Sequence, residues 1–294
     1  YWMAHYTIGR RHFDRYLYCL YLDAKPRHRS ALILAGLVSR QALDHAHVMK
    51  NSDTGIALVT GAGLRIGRAI ALDLADAGWA VVLHYRTSAA EAEALATEIN
   101  DGGGRAVALG ADLVNESEVA KLIPAASAAL GPITCLVNNA STFERDTVAT
   151  STRETWDSHM EVNLRAPFVL SQAFQAGLRQ GASGNIINII DQRVWNLTPD
   201  FTTYTLSKAG LWGLTQILAR AMAPNVRVNG IGPGPTLQSV HQSVDDFAEE
   251  WTAMPLARKV SPEDICRAVR FIIESPTVTG QMIAVDSGQH MGMR

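Results

Sequence analysis

The sequence predicts a single doubly wound α/β domain over residues 53–294, with a seven-stranded parallel sheet and helices on both faces. Three observations support this prediction. Short runs rich in Val, Ile and Leu alternate with longer helical stretches, those runs are apolar throughout, and a glycine-rich turn follows the first of them. Crossover helices bury both faces of a parallel sheet, so its strands are apolar along their whole length. No linker, repeat or low-complexity tract divides the domain.

The strand predictions rest on short runs of β-branched and aliphatic residues bounded by turn residues. In chain order they are Ile56–Thr60, Ala80–Tyr85, Ala106–Leu109, Cys135–Asn138, Asn185–Ile190, Val226–Ile231 and Met282–Val285. Helical patterns between them include Ile66–Ala77, Ala89–Ile99, Trp156–Gln180 and Thr203–Met222. This alternation is what a parallel sheet requires, because parallel strands are joined by crossover connections.

The composition excludes several classes of function. The 294 residues are 47% hydrophobic and 18% charged, with a formal net charge of -2, and no basic cluster lies in the main body. Nucleic acid is therefore not an expected partner, because binding it requires several phosphates to be neutralised. No apolar run approaches the roughly 20 residues that span a bilayer, so no membrane association is expected. Cys19, Cys135 and Cys266 are too scattered for a disulfide framework or a metal site, which favours the reducing cytoplasm.

Residues 1–52 form a predicted N-terminal extension that differs in composition from the rest. Residues 1–50 hold eight Lys and Arg against three Asp, a net charge of +5, whereas the remaining residues carry -7. A positive, acid-poor leader is consistent with targeting, although serine is scarce and no small-residue cleavage site follows its apolar run. An interaction arm is a second interpretation. We favour the third, a segment without a folded role that is translated from upstream of a start at Met49.

The turn after the first strand predicts a nucleotide site. It reads Thr60-Gly61-Ala62-Gly63-Leu64-Arg65-Ile66-Gly67 and opens a helix. Glycines in such a turn let the backbone approach a pyrophosphate, whose charge is then met by the free N–H groups at the helix N-terminus. A merely tight turn is the alternative, and the position between strand and helix favours the nucleotide.

The end of the second strand predicts NADPH rather than NADH. A carboxylate about 20 residues beyond the turn would bind the ribose 2′-hydroxyl of NAD, but the chain has none at that position. Arg65, His84, Arg86 and Ser88 are instead suited to an added 2′-phosphate. The alternative is that His84 is a satisfied strand residue and Arg86 a solvated charge.

Three side chains predict a proton-delivery site. Tyr204 and Lys208 lie four residues apart, which places both on one face of a helix, and Asp191 ends the apolar run that precedes them. A lysine charge near a phenol favours the phenolate, so we expect the pKa of Tyr204 to lie below its reference value of about 10. The spacing alone equally fits an exposed helical pair, but the other motifs favour proton exchange.

The turn at Thr60–Gly67, the run Asn138-Asn139-Ala140 and the pair Tyr204-x-x-x-Lys208 occur in an order that resembles the short-chain dehydrogenase/reductase family over residues 55–290. The resemblance implies a Rossmann-type fold and a homotetramer in which helices 156–180 and 203–222 pair across subunits. It also implies that Asn163 is a catalytic asparagine that supports a water relay to Lys208. The implied cofactor-binding residues are Gly61, Arg65, Ile66, Gly67, His84, Tyr85, Arg86, Ser88, Asp112, Leu113, Asn139, Ala140, Ser141, Tyr204, Lys208, Pro233 and Gly234.

Two positions depart from most of that family and are similar to its pteridine reductases and dihydromonapterin reductases. They are Asp191, where a serine is usual, and Arg65, where a glycine is usual. In that subgroup the aromatic residue at position 143 stacks a pterin against the nicotinamide, and position 141 contacts the ligand. The implied substrate residues are therefore Ser141, Phe143, Asp191 and Tyr204, and 236–255 is expected to be a mobile cover. The alternatives are a core aromatic at Phe143 and a turn-capping carboxylate at Asp191.

The predicted activity is NADPH-dependent hydride transfer to a C=N bond of a pterin or dihydropterin, with Tyr204 and Asp191 supplying the proton to the ring nitrogen. One alternative is a carbonyl or 3-oxoacyl reductase, in which Asp191 only replaces the usual serine. A second alternative is a non-catalytic nucleotide-sensing protein. The intact set of Asp191, Tyr204 and Lys208 argues against the second alternative.

Overall fold

Seven parallel strands form one sheet, in the order β3-β2-β1-β4-β5-β6-β7. The computed structural model describes residues 55–239 and 242–292, within the compact unit Gly55–Arg294. The prediction made for residues 1–52 lies outside the described residues. The strands are β1 (Ile56–Val59), β2 (Ala80–Tyr85), β3 (Arg105–Gly110), β4 (Cys135–Asn138), β5 (Gly184–Ile189), β6 (Val226–Pro233) and β7 (Met282–Val285). All seven predicted strands are confirmed, with ends that differ by at most two residues.

Helices connect these strands and cover both faces of the sheet. They are α1 (Arg65–Asp76), α2 (Ala89–Asp101), α3 (Glu116–Leu130), α4 (Arg153–Met160), α5 (Ala166–Gly177), α6 (Thr202–Ala221), α7 (Val244–Thr252) and α8 (Pro262–Glu274). Alternate residues of a strand point to opposite faces, so Val59 and Leu58 of β1 belong to two different cores. Helices α1, α2 and α8 complete the first core and α3, α5 and α6 the second. The doubly wound prediction is therefore confirmed.

The helix predicted at 156–180 is present from Arg153 to Gly177, and it consists of α4, a π-helical turn (Glu161–Arg165) and α5. Pro167 occupies the first turn of α5. Proline has no N–H, so the carbonyl of Asn163 loses its normal helical donor, and the helix adjusts around that position. The π-helical turn places Asn163 in the interior, with no exposed surface.

The strand order fixes where a ligand can bind. The chain runs outward from β1 to β2 and β3, then crosses back to place β4 on the other side of β1. The connections after β1 and β4 therefore leave in opposite directions and open a crevice at the carboxyl ends of these strands. Within the described residues no helix is long and apolar enough to span a membrane, and no cluster of His, Cys, Asp and Glu is suited to a metal ion.

Candidate active site

A cavity of about 950 Å³ lies at the carboxyl ends of the central strands. Every residue predicted for the site lines this cavity except Asn163. The lining residues that were predicted are Gly61, Arg65, Ile66, Gly67, His84, Tyr85, Arg86, Ser88, Asp112, Leu113, Asn139, Ala140, Ser141, Phe143, Asp191, Tyr204, Lys208, Pro233 and Gly234. The predicted cover also contributes, through residues of 236–239 and of the segment that contains α7.

The glycine-rich turn is held in a close approach to the helix that follows it. Gly61 has a φ of 63°, in the left-handed region that favours glycine. A Cβ on Gly67 would lie 2.1 Å from the carbonyl oxygen of Gly61. The side chain of Asn139 donates to the carbonyls of Thr60 and Gly61, at 2.8 and 3.2 Å. Asn139 thus fixes the turn from the end of β4, while α1 directs its N-terminus into the cavity.

Arg65 lies at the mouth of the cavity in a left-handed backbone conformation, with a φ of 54°. Its guanidinium donates to the carbonyls of Gln238 and Leu237, at 3.0 and 3.1 Å. Because those carbonyls belong to the predicted cover, Arg65 joins the glycine-rich turn to that segment.

His84 is buried inside the protein, which corrects its predicted role at a 2′-phosphate. Its Nδ1 accepts from the N–H of Gly61 at 3.2 Å, so its Nε2 carries the proton and lies 3.0 Å from the carbonyl of Ala111. Burial lowers the pKa of His84, which favours the neutral ring. Both nitrogens are therefore engaged, and His84 supports the turn. Arg86 and Ser88 remain in the cavity lining, beside a β2 end that has no carboxylate.

Asp191, Tyr204 and Lys208 converge as predicted. Asp191 follows β5, whereas Tyr204 and Lys208 lie on consecutive turns of α6. The hydroxyl of Tyr204 donates to Asp191 Oδ2 at 2.9 Å, and Lys208 Nζ donates to the carbonyl of Ile189 at 2.9 Å. Asp191 also caps a turn, because its Oδ1 accepts from the N–H of Arg193 at 2.8 Å. The carboxylate of Asp191 therefore both caps the turn and contacts the phenol of Tyr204.

The predicted decrease in the pKa of Tyr204 is wrong. Burial raises the pKa of the phenol well above its ordinary value, and the adjacent Asp191 carboxylate raises it further. The charge of Arg193 lowers this pKa but does not offset the two larger effects. Burial also lowers the pKa of Lys208 to about 8, against the opposing effect of Asp191. At neutral pH Tyr204 is therefore a protonated donor.

Asn163 lies behind the cavity and holds its wall. Its Oδ1 accepts from the N–H of Thr142 and the hydroxyl of Ser141, at 2.9 and 3.1 Å. Its Nδ2 donates to the carbonyl of Thr142 and the hydroxyl of Ser207, both at 3.0 Å. The π-helical turn therefore joins the loop after β4 to α6.

Phe143 belongs to an aromatic group beside the phenol. Its ring stacks on Phe201 with a centroid distance of 4.4 Å and an angle of 8°, and it meets the Tyr204 ring edge to face at 4.7 Å. Arg193 lies over the Phe201 ring, 5.2 Å from its centroid. One aromatic wall of the cavity therefore continues from Phe143 to Phe201 and Arg193.

Phe201, Arg193 and Gln289 are residues of this region that were not predicted, whereas Glu250 lies in the predicted cover. Phe201 and Arg193 line the cavity, as do Glu250 and Gln289, whose side chains hydrogen-bond each other at 3.0 Å. Phe201 directly precedes the Tyr204 helix, but nothing in the local sequence indicates that its ring reaches Phe143. Nothing in the sequence indicated that Gln289 would reach the cavity.

The chain is similar in sequence to known reductases. A family model described as enoyl-(acyl carrier protein) reductase matches residues 61–290. The chain is 35% identical over 242 residues to a 3-oxoacyl-[acyl-carrier-protein] reductase of Synechocystis sp., which covers 80% of this chain and 97% of that protein. It is 33% identical over 243 residues to the 3-oxoacyl-[acyl-carrier-protein] reductase FabG of Staphylococcus aureus, with 81% and 99% covered.

Solved structures give a second set of similarities. FolM alternative dihydrofolate reductase 1 from Brucella canis, complexed with NADP, is 45% identical with a TM-score of 0.80, over 82% of this chain and 96% of that one. A blue fluorescent protein from a metagenomic library, in complex with NADPH, is 32% identical with a TM-score of 0.75, over 80% and 98%.

Proposed function

The chain belongs to the short-chain dehydrogenase/reductase family, and from this premise we propose that it is an NADPH-dependent reductase of the C=N bond of a pterin or dihydropterin. The observation that carries the proposal is the 2.9 Å hydrogen bond between Tyr204 and Asp191, beside the ring of Phe143. The likeness to a FolM alternative dihydrofolate reductase supports the same substrate class.

The residues of the cavity fit NADPH. The missing Cβ of Gly67 lets α1 pack closely against the turn at Gly61, and the N-terminus of α1, which has no side-chain cap, offers backbone N–H groups to a pyrophosphate. Arg86 and Ser88 line the cavity just after β2, which supports a role for them at the 2′-phosphate, and no carboxylate at the end of β2 would repel it. The NADP and NADPH complexes of the similar structures support this assignment.

The reaction requires a proton as well as a hydride. NADPH supplies the hydride when bound, and addition to the carbon of a C=N bond leaves an electron pair on the nitrogen. Tyr204, which is protonated at neutral pH, donates a proton to that nitrogen. Asp191 orients the phenol through their hydrogen bond and helps to pass the proton. Phe143 and Phe201 form an aromatic wall of the cavity, which supports a flat heterocycle as the substrate.

Substitution of Tyr204 tests this assignment. Tyr204→Phe removes the proton donor and keeps the ring, so turnover of a dihydropterin should fall by about 100-fold or more while NADPH affinity stays close to that of the wild type. Steady-state NADPH consumption and a fluorescence titration measure the two quantities. Dihydropterin turnover at the parent rate would reject the mechanism.

A carbonyl or 3-oxoacyl reductase is the second candidate, favoured by the 3-oxoacyl-[acyl-carrier-protein] reductases among the relatives. In that reaction Tyr204 protonates an alkoxide and Asp191 serves only as a hydrogen-bonding group. A panel of pterins and carbonyl compounds separates the two candidates. Asp191→Ser should weaken pterin reduction more than reduction of simple carbonyls, and equal losses would favour the second candidate. Turnover of any member of the panel excludes a sensing protein.

We also propose a cytoplasmic homotetramer. Trp156 of α4 and Leu206 and Ile217 of α6 expose between 42% and 64% of their surface, which suits helices that pair across subunits. Cys135 and Cys266 are both free thiols, as expected in a reducing compartment.

A further inference from the structure

A buried chain of hydrogen bonds lies behind the aromatic wall of the cavity. The N–H of Glu144 donates to Nε2 of His159 at 3.0 Å. Nδ1 of His159 lies 2.7 Å from the hydroxyl of Thr203, and that hydroxyl donates in turn to a carboxylate oxygen of Asp146. His159, Thr203 and Asp146 are each at most 1% exposed. The chain therefore joins the loop after β4 to α4 and to the start of α6.

The hydrogen bonds of this chain can have only one order of donors and acceptors. A backbone N–H can only donate, so His159 must accept at Nε2 and, as a neutral ring, carry its proton at Nδ1. The Nδ1–H then donates to Thr203, whose own hydroxyl proton points to Asp146. Burial lowers the pKa of His159, and the neutral ring is the form this order requires. A single tautomer of His159 is thereby fixed.

Asp146 satisfies the N-terminus of the helix that carries Tyr204 and Lys208. The residue that precedes this helix, Phe201, has a φ of 59° and no side-chain cap. In its place, the carbonyl of Asp146 accepts from the N–H of Phe201 at 2.7 Å, and its carboxylate accepts from the N–H of Thr203 at 3.1 Å. A carboxylate at this position also complements the positive end of the helix dipole.

The same chain borders both reactive elements of the cavity. Thr203 immediately precedes Tyr204, and the ring of His159 lies 5.9 Å from the Tyr204 ring. Glu144 immediately follows Phe143, whose ring contacts Tyr204. A movement at either end of the chain would therefore change the position of the phenol relative to the aromatic wall.

We propose that His159, Thr203 and Asp146 are positioning residues, which hold the Tyr204 hydroxyl and the Phe143 ring in register for proton delivery. None of the three lines the cavity, so they act through Tyr204 and Phe143. The inference rests on the proposed function only in requiring Tyr204 to be the proton donor, and it holds for a pterin or a carbonyl substrate alike.

Paired isosteric substitutions on α6 test the proposal. Thr203→Val removes the hydroxyl that joins His159 to Asp146, whereas Thr205→Val removes a buried hydroxyl that has no hydrogen-bond partner among the described residues. We expect Thr203→Val to lower kcat by about 10-fold to 100-fold, since a small misplacement of a catalytic group has effects of that size. The KM for NADPH should stay unchanged. Thr205→Val should retain the wild-type kcat, and Thr203→Ser should recover most of it.

The outcomes separate positioning from a general effect on the fold. Equal kcat values for Thr203→Val and Thr205→Val, or a Thr203→Ser variant no better than Thr203→Val, would overturn the proposal. The assay uses whichever substrate of the panel the wild type turns over. Failure of pterin reduction alone would therefore contradict the proposed function and leave this test intact.

A spectroscopic measurement covers the case in which Thr203→Val does not fold. Imidazole nitrogen-15 chemical shifts of the wild-type protein, assigned by loss of the signal in His159→Gln, report the tautomer directly. The proposal requires a neutral His159 with its proton on Nδ1 at pH 7. A signal with the proton on Nε2, or from a doubly protonated ring, would overturn it, whatever the substrate of the enzyme.

Discussion

Lys208 places an ammonium group in the interior of the protein, where only 2% of the residue is exposed. Its hydrogen bond to the carbonyl of Ile189 does not replace the hydration of the charge, so burial lowers its pKa from 10.5 to about 8. Burial of this cation next to Tyr204 therefore lowers the free energy of unfolding. Buried charges with shifted pKa values cluster at functional sites, which supports the proposed role of Lys208.

The free energy of unfolding, measured at several pH values, tests the cost of burying Lys208. Between pH 8 and 10.5 the unfolded chain keeps the Lys208 proton while the folded protein loses it, so the free energy of unfolding should rise with pH relative to Lys208→Met. The expected relative gain is about 3 kcal/mol across this window for the cofactor-free protein. Urea unfolding of both proteins at several pH values measures it. Parallel curves for the two proteins would mean that Lys208 titrates normally.

The residues that contact the reacting groups could be predicted from short motifs. Tyr204 and Lys208 share a helix face through a spacing of four, and Asp191 ends an apolar run, so each signal is local. Asp146 could not be found in this way, because it acts on Thr203 across 57 positions of the chain. The reversed shift in the pKa of Tyr204 has the same origin. Burial depends on the whole fold, whereas the motif shows only the neighbouring lysine.

At the scale of elements, the turn between β1 and α1 depends on a missing side chain. A Cβ on Gly67 would meet the Gly61 carbonyl at 2.1 Å and the Asn139 side chain at 2.6 Å, and the first contact is with backbone that cannot move freely. The turn is therefore intolerant of the smallest substitution, even though α1 itself would favour alanine.

Gly67→Ala should destabilise the protein by about 1–3 kcal/mol through overpacking and weaken NADPH binding by at least about tenfold. Gly177→Ala, in the last turn of α5, is the matched control, because its Cβ would lie an ordinary 3.8 Å from Ile123. Urea unfolding and NADPH titration of both variants make the comparison. Similar values for the two variants would show that the turn has room for a methyl group.

The π-helical turn between α4 and α5 is a detail that the predicted helix at 156–180 did not include. Pro167 signals the interruption, because a proline inside a helical pattern removes a hydrogen bond. The residue that benefits is Asn163, whose four side-chain bonds hold the loop after β4. By contrast the strands were predictable within two residues, since a sheet buried on both faces needs continuous apolar runs.

At the scale of the whole molecule, the outer surface of α6 bears on assembly. Ile217 exposes 64% of its surface and Leu206 47%, on the helix that also carries Tyr204. A carboxylate introduced there would be buried in the proposed interface between subunits, at a cost that favours dissociation.

Ile217→Glu should therefore convert the proposed tetramer to smaller species, as measured by multi-angle light scattering. Val148→Glu is the control, because Val148 is 85% exposed in the loop after β4 and lies on neither α4 nor α6. A wild-type protein with the mass of one chain would contradict the tetramer at once. An unchanged tetramer in Ile217→Glu would place the interface elsewhere.

The position of β1 in the middle of the sheet determines when a newly made chain can capture its nucleotide. The turn that follows β1 is completed by Asn139, 79 positions after Thr60. The opposite side of the cavity is completed only by Pro233 and Gly234. Most of the polypeptide must therefore be synthesised before a dinucleotide can bind to the cavity and stabilise the fold. During translation the early strands lack their central neighbours, and the coenzyme cannot stabilise the chain in this interval.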